Sequence, residues 1–226
     1  MLILDPRNGL AGDMILAAFS DLGHGKLVKG FGAEIIEAAG AEGKMKVKKH
    51  LDGTRVDVEI EKDIKGFEKA YERCLGLDMD PEVKAFGKKT IDKMIAAEKK
   101  HHQGHAHLHE LGSADTLVDV FTAGRAFLEY GFDARCMPIG IGSGKIRIEH
   151  GLVDNPPPAS RIMLEGYETI RHGIEAELST PTGIAIATNF IQIKGIEGSK
   201  IKRTGKGYGS MEMKGHENRL EVHEIE

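Results

Sequence analysis

The sequence has no tryptophan, and its aromatic residues make up only 5 % of the chain. Single-stranded nucleic acids are held largely by stacking bases on aromatic faces, so there is little material here for such a surface. The formal charge of −4 at pH 7, with acids and bases interleaved, supplies no basic footprint for a phosphate backbone either. Lysine clusters such as Lys44 to Lys49 read as a solvated strand face. Cysteine is almost as scarce. Cys74 and Cys136 are the only two and have no pairing motif, which excludes a disulfide framework and points to a reducing compartment. Both read as buried thiols. No apolar run approaches the roughly 18 residues of a membrane span, and the opening MLILDPRNGL has no basic segment leading into an apolar stretch. These absences set the expectation of a cytoplasmic protein with neither nucleic acid nor membrane as a partner. Also absent are a nucleophile elbow, a CxxC pair, a HExxH helix, a P-loop and a dinucleotide fingerprint.

What is present suits a mixed fold. A chain of 226 residues fits a single unit or two small lobes, about 1–100 and 101–226. Leu2 to Leu4 reads as a short buried strand ending at Asp5, followed by the glycine-punctuated turn PRNGLAG. Asp13 stands where an N-cap belongs, before a helical run closing at Gly23. Asp52-Gly53 between KVKKHL and TRVDVEIE is a hairpin signal. Pro81 opens a helix carrying Val83, Phe86, Ile91, Met94 and Ile95, and another should start near Ser113 and run to Gly131. RCMPIGIG and GKIRIEHG, joined through Ser143-Gly144, read as a second hairpin. NPPPAS is a rigid loop leading to a helix at about Arg161, and NRLEVHEI alternates like a final strand. The fold class expected is α/β or α+β, a mixed sheet with antiparallel hairpins and packed helices.

Histidine is the unusual quantity: five of eleven lie between His101 and His109. In extended backbone, His105, His107 and His109 point to one side, beside Glu110, and neutral imidazole suits a borderline metal such as nickel or zinc. The alternative is a polar loop that binds metal loosely. Asp115 and Asp119, four apart on one helix face, repel each other on a bare surface, so a cation or hydroxyl partner would explain them; Asp115 is equally readable as an ordinary first-turn acid. A strand, a Gly-rich loop and a helix start at Asp13 could hold an anion, or simply form a tight connection. Gly142-Ser143-Gly144 and Thr180-Pro181-Thr182-Gly183 could each donate hydrogen bonds to phosphate, or be turns only. His150 and Glu177 are single ionisable residues at element ends, where sites on sheets are often assembled.

Taken in order, these segments resemble the LarC family of nickel insertion proteins, the nickel-pincer cofactor cyclometallases. The resemblance rests on Asp5, Gly9, Gly12, Asp13 and Met14. It continues through His107-Leu108-His109-Glu110-Leu111-Gly112 with Asp115 to Asp119, Gly142-Ser143-Gly144, His150-Gly151, and Pro156 to Ala159. Glu177 to Gly183 and Gly207-Tyr208-Gly209 complete it. It implies a lyase-class enzyme that inserts nickel into pyridinium-3,5-bisthiocarboxylic acid mononucleotide, dependent on CTP with Mg or Mn, forming one carbon–nickel and two sulfur–nickel bonds. Asp13, Asp115 and Asp119 would hold the cation on the nucleotide. The resemblance names no residue for the base that takes the ring proton. It also implies a C-terminal nickel-binding domain beyond this chain, so the chain is expected to be one component of a split enzyme with a separate C-terminal-domain partner. Two other functions remain open on the residues: a nickel carrier or store, and a metal-dependent nucleotide hydrolase.

Overall fold

The apolar run at the start of the chain, Leu2–Asp5, forms strand β1, buried at all four positions, as expected of a strand covered on both faces. A computed structural model describes residues 1–101, 112–148, 151–213 and 215–226. After β1 the chain runs through α1 (Gly12–Phe19), α2 (Gly25–Ala39), β2 (Glu42–His50), β3 (Gly53–Lys62), α3 (Phe67–Gly76), α4 (Pro81–His101) and α5 (Ala114–Leu128). It continues with β4 (Ala134–Cys136), β5 (Ile139–Ile141), β6 (Lys145–Ile148), β7 (Gly151–Asp154), α6 (Pro158–Met163), β8 (Thr169–Arg171) and α7 (Pro181–Ala187). Strands β9 (Ile191–Gln192), β10 (Ile201–Tyr208) and β11 (Arg219–Ile225) close the order.

Seven strands build the central sheet, in the order β2-β3-β10-β11-β1-β4-β9. Strand β1 lies inside it, antiparallel to β11 and parallel to β4. The β2–β3 hairpin joins through a parallel contact at Gly207 and Thr54. The sheet is therefore mixed and takes strands from both halves of the chain. Helix α1 packs on β3, β10 and β11, α5 packs on α1, and α2 and α4 flank α5. Phe127 centres the core between them, its ring 4.9 Å from Phe19, 4.6 Å from Phe190 and 5.8 Å from Phe86. No helix among the described residues is long and apolar enough to cross a membrane.

The local signals explain most of these elements. Ser113 caps α5 by accepting the Thr116 N–H, Pro81 opens α4, and Gly40, left-handed at φ 78°, ends α2, each as the physics of helix ends requires. Gly23, at φ 109°, interrupts the first helical run inside a π-helical turn, and α2 follows directly.

Three expectations are corrected. The N-cap of α1 is Ala11, extended at φ −143°, two residues before Asp13, and the helix itself starts at Gly12. Asp13 is instead a first-turn acid whose carboxylate accepts the Met14 N–H, a position favoured by the helix dipole. The second hairpin does not join 135–142 to 144–151. The ARC and IGI segments enter parallel pairings, β4 with β1 and β9, and β5 with β8, while β6 finds its antiparallel partner in β7. Buried apolar runs are free to join distant parallel partners, whereas the alternating KIRI segment suits a one-sided hairpin. The helix expected near Arg161 begins at Pro158, since a proline is accommodated at the first helical position.

Strand β10 carries Gly205 and Gly207 and is an inner strand. Its glycines are there because α1 lies directly against it: a Cβ on Gly207 would sit 1.9 Å from the Met14 carbonyl oxygen. Gly207→Ala should therefore push α1 off the sheet and cost about 1–3 kcal/mol, the usual range for overpacking. Urea unfolding followed by circular dichroism measures it; an unchanged midpoint would show that α1 can shift freely.

Candidate functional site

The turn after β1 is laced to a second loop before α1 begins. Leu10 N–H donates to the Leu178 carbonyl at 2.8 Å, and Thr180 N–H donates to the Leu10 carbonyl at 2.8 Å. Thr180 then caps α7, its hydroxyl accepting the Gly183 N–H. Gly183 is packed so tightly on this turn that a Cβ would lie 2.7 Å from the Leu10 carbonyl oxygen. The starts of α1, α5 and α7 thus meet beside β3, around a cleft of about 500 Å³. Asp13, Asp115, Asp119, Glu177, Thr180 and Thr182 all contribute to its lining.

Asp119 lies at the bottom. It is only 4 % exposed, and its Oδ1 has no hydrogen-bond partner among the described residues. Its other oxygen occupies the space a side chain on residue 12 would need: a Cβ on Gly12 would fall 2.1 Å from it. Burial, then the neighbouring Asp115 and Asp13, push the Asp119 carboxyl well above the ordinary range. Burial and Asp115 raise Asp13 to about 6. Asp115 is open to water at the mouth, yet the surrounding walls take enough solvent from it, with Asp63 nearby, to raise it to about 6. Asp63 itself accepts the Ala114 N–H at the start of α5.

No lysine or arginine is among the described residues that line the cleft. Several kcal/mol of desolvation per buried ion is the expected penalty for carboxylates in this state, so they must either take up protons or be joined by a cation. Their oxygens do not form a three-ligand group within 4.8 Å. An ion held here would therefore take one or two of these carboxylates and fill its remaining positions with water and phosphate oxygens, as small hard ions commonly do.

The Gly142-Ser143-Gly144 turn is not part of the cleft lining. Its polar groups hold the 171–176 segment instead. Ser143 N–H donates to the Ile174 carbonyl at 2.8 Å, its hydroxyl donates to the His172 carbonyl, and Arg171 donates to the Gly142 carbonyl at 3.1 Å. That segment leads directly to Glu177, so the turn bears on the cleft from behind. His105, His107, His109, Glu110 and His150 lie outside the described residues; Ser113, which follows the histidine tract, lines the cleft.

Several lining residues carried no sequence signal. Asp57 looks like part of the charged face of β3, but it borders the cleft, and hydrogen bonding from Lys48 holds its carboxyl below the usual range. Asn218 sits in an irregular segment with no motif, and Gly9 leaves it room: a Cβ there would lie 2.5 Å from Asn218 Oδ1.

The family model described as nickel insertion protein matches residues 2–224. This chain belongs to the nickel insertion protein family. A relative from Syntrophobacter fumaroxidans is 30 % identical over 218 residues, 91 % of this chain and 55 % of its own length. The pyridinium-3,5-bisthiocarboxylic acid mononucleotide nickel insertion protein of Geobacillus kaustophilus is 28 % identical over 98 % of this chain and 59 % of its own. The protein of the same name from Desulfitobacterium hafniense is 30 % identical over 91 % and 54 %. The chain thus spans a little over half the length of these nickel insertion proteins. No solved structure matches it.

The cleft makes a pH prediction for the metal-free protein. Asp13 and Asp115 have folded values near 6, above the unfolded value of about 3.9. The native state therefore binds more protons between these limits, and stability should fall as pH rises from about 4 through 6. Asp115→Asn should flatten that decline. Thermal unfolding in a chelator across this range measures it, and a stability that rises from pH 4 to 7 with no difference in the variant would contradict it.

Proposed function

We propose that this chain takes part in inserting nickel into the pyridinium-3,5-bisthiocarboxylic acid mononucleotide pincer cofactor, with nickel and the pincer precursor as substrates and CTP consumed. The carboxylate cleft is the site at which the nucleotide's triphosphate is held through Mg or Mn. The observation that carries this reading is Asp119 Oδ1, buried at the bottom of an acidic cleft without a partner among the described residues, in a chain whose relatives bear that substrate in their names.

A buried carboxylate of this kind is stabilised by a hard cation, and oxygen ligands are what such a cation prefers. Asp119 would hold it from below together with one of Asp13 and Asp115, the other bonding to its water. When bound, the cation neutralises phosphate charge and orients the leaving group. The Thr180 hydroxyl, which accepts from Gly183, keeps its own proton to donate to a phosphate oxygen, and Thr182 offers a second hydroxyl at the rim. Gly12 keeps α1 close enough for Asp13 and Asp119 to act together. His105, His107, His109 and Glu110 supply the donors for nickel, since neutral imidazole is a good ligand for it. The part of these relatives' length that this chain does not span would complete the nickel site and keep water from the ring carbon.

The test mixes protein, CTP, Mg, nickel and the pincer precursor and follows the product by mass. Asp115→Asn should weaken CTP–Mg binding by at least about tenfold, or ~1.4 kcal/mol, while leaving nickel binding near the parent's. Replacing His105, His107 and His109 together with Ala should do the reverse, and nickel binding by the parent should fall as pH drops below about 6.5. Normal insertion by the Asp115→Asn protein would remove the cleft from the reaction. Nickel binding without any CTP binding or consumption would favour a carrier instead.

A further inference from the structure

A second group of potential ligands lies on the other side of the central sheet. Gly205 and Gly207 of β10 face α1, and their cross-strand partners Val222 and Leu220 face the same way. Because side chains alternate along a strand, Glu221 and His223 point to the opposite face. Asp5 is paired with Glu221 across β1 and β11 and points there too. One ligand atom from each of Asp5, Glu221 and His223 can be chosen so that all lie within 4.8 Å of one another.

We propose that Asp5, Glu221 and His223 form a binding site for one divalent first-row transition ion, separate from the carboxylate cleft. The geometry of each donor supports it. His223 is 5 % exposed, its Nδ1 is engaged by the Thr204 hydroxyl at 2.9 Å, and its Nε2 faces Glu221 Oε2 at 3.7 Å. That separation exceeds hydrogen-bond reach, but it is in the range of about 3–4 Å expected between two atoms ligating one ion through bonds of ~2.1 Å. An imidazole whose far nitrogen is fixed by a hydroxyl is oriented as metal-bound histidines usually are. Burial also pushes the His223 pKa down, so the ring is neutral and its nitrogen lone pair is available at neutral pH.

The two acids are fixed from outside in the same way. Arg7 donates to both Asp5 oxygens at 2.8 and 2.7 Å, and Arg219 reaches Glu221 Oε1 at 3.0 Å, leaving Oε2 toward the histidine. Each carboxylate oxygen bonded to an arginine retains a second lone pair, so the guanidinium groups orient the donors without exhausting them. Ile3, Met137 and Ile225 form a small apolar cluster on this sheet face, and Ile3 is the cross-strand partner of His223. Dry surroundings strengthen the attraction between an ion and two carboxylates. One nitrogen and two oxygen donors select manganese, iron, cobalt, nickel or zinc over magnesium and calcium, which favour all-oxygen sets.

The test uses the full chain with His105, His107 and His109 changed to Ala and Asp115 to Asn, so that the other candidate metal groups are weakened. Equilibrium dialysis against nickel should give one tight equivalent, undiminished by millimolar magnesium. Adding Glu221→Gln, which keeps the shape of a half-exposed side chain, should lower the affinity at least tenfold, and His223→Gln should do the same, with circular dichroism confirming the fold. Cobalt bound in place of nickel should give visible absorption that disappears in both variants. If the starting protein binds no equivalent, or if a folded Glu221→Gln protein titrates like its parent, the site does not exist. If magnesium displaces nickel, the bound ion does not use the histidine and the proposal fails as well.

Discussion

The contact between Asp119 and Gly12 is the constraint on which the site depends. A carboxylate oxygen occupies the volume of the absent side chain, so α1 and α5 approach at a distance that any other residue at position 12 would prevent. This close approach puts Asp13 beside Asp119 and leaves one Asp119 oxygen without a partner among the described residues. A stable protein ordinarily avoids such a group, since a buried unsatisfied polar atom costs about 1–3 kcal/mol and more when charged. The rest of the fold offsets that cost: the aromatic cluster around Phe127, the close seating of α1 on the glycines of β10, and the lacing of Leu10 to Leu178 and Thr180.

The mixed sheet separates two kinds of donor. On the α1 side the cleft offers carboxylate and hydroxyl oxygens, with no histidine or cysteine among its described lining residues. On the far side Asp5 and Glu221 are joined by an imidazole. Hard cations and transition ions sort between such sets by donor type rather than by charge. The function proposed above, nickel handled beside a magnesium-bound nucleotide, would need that distinction, because first-row transition ions otherwise occupy oxygen sites as well. The strand β1 connects the two faces: Asp5 ends it on one side, and the loop that follows it delivers Gly12 and Asp13 to the other.

Much of this was legible in the sequence where the signal is local. Helices α4 and α5 announce themselves by Pro81 and Ser113, the β2–β3 hairpin by Asp52-Gly53, and Asp115 and Asp119 by their four-residue spacing. What was not legible depends on distant partners. Why strand β10 carries Gly205 and Gly207 is evident only once α1 is placed against them. The parallel pairings of β4 and β5 involve strands far along the chain, which no local pattern specifies. The Gly142 turn reads equally well as a phosphate loop, and only the 171–176 segment reveals how its hydrogen bonds are used. Asp5, Glu221 and His223 are separated by more than two hundred residues at their extremes, so sheet register alone brings them together.

The central claim is that the unpartnered oxygen of Asp119 serves a nucleotide-bound cation. The most direct measurement is a crystal structure of the protein with CTP and manganese, with the ion located by its anomalous scattering. The account predicts a manganese ion within bonding distance of Asp119 Oδ1, with triphosphate oxygens completing its coordination and Asp13 or Asp115 alongside. Manganese and CTP bound elsewhere, with Asp119 still unligated at the base of an empty cleft, would contradict it.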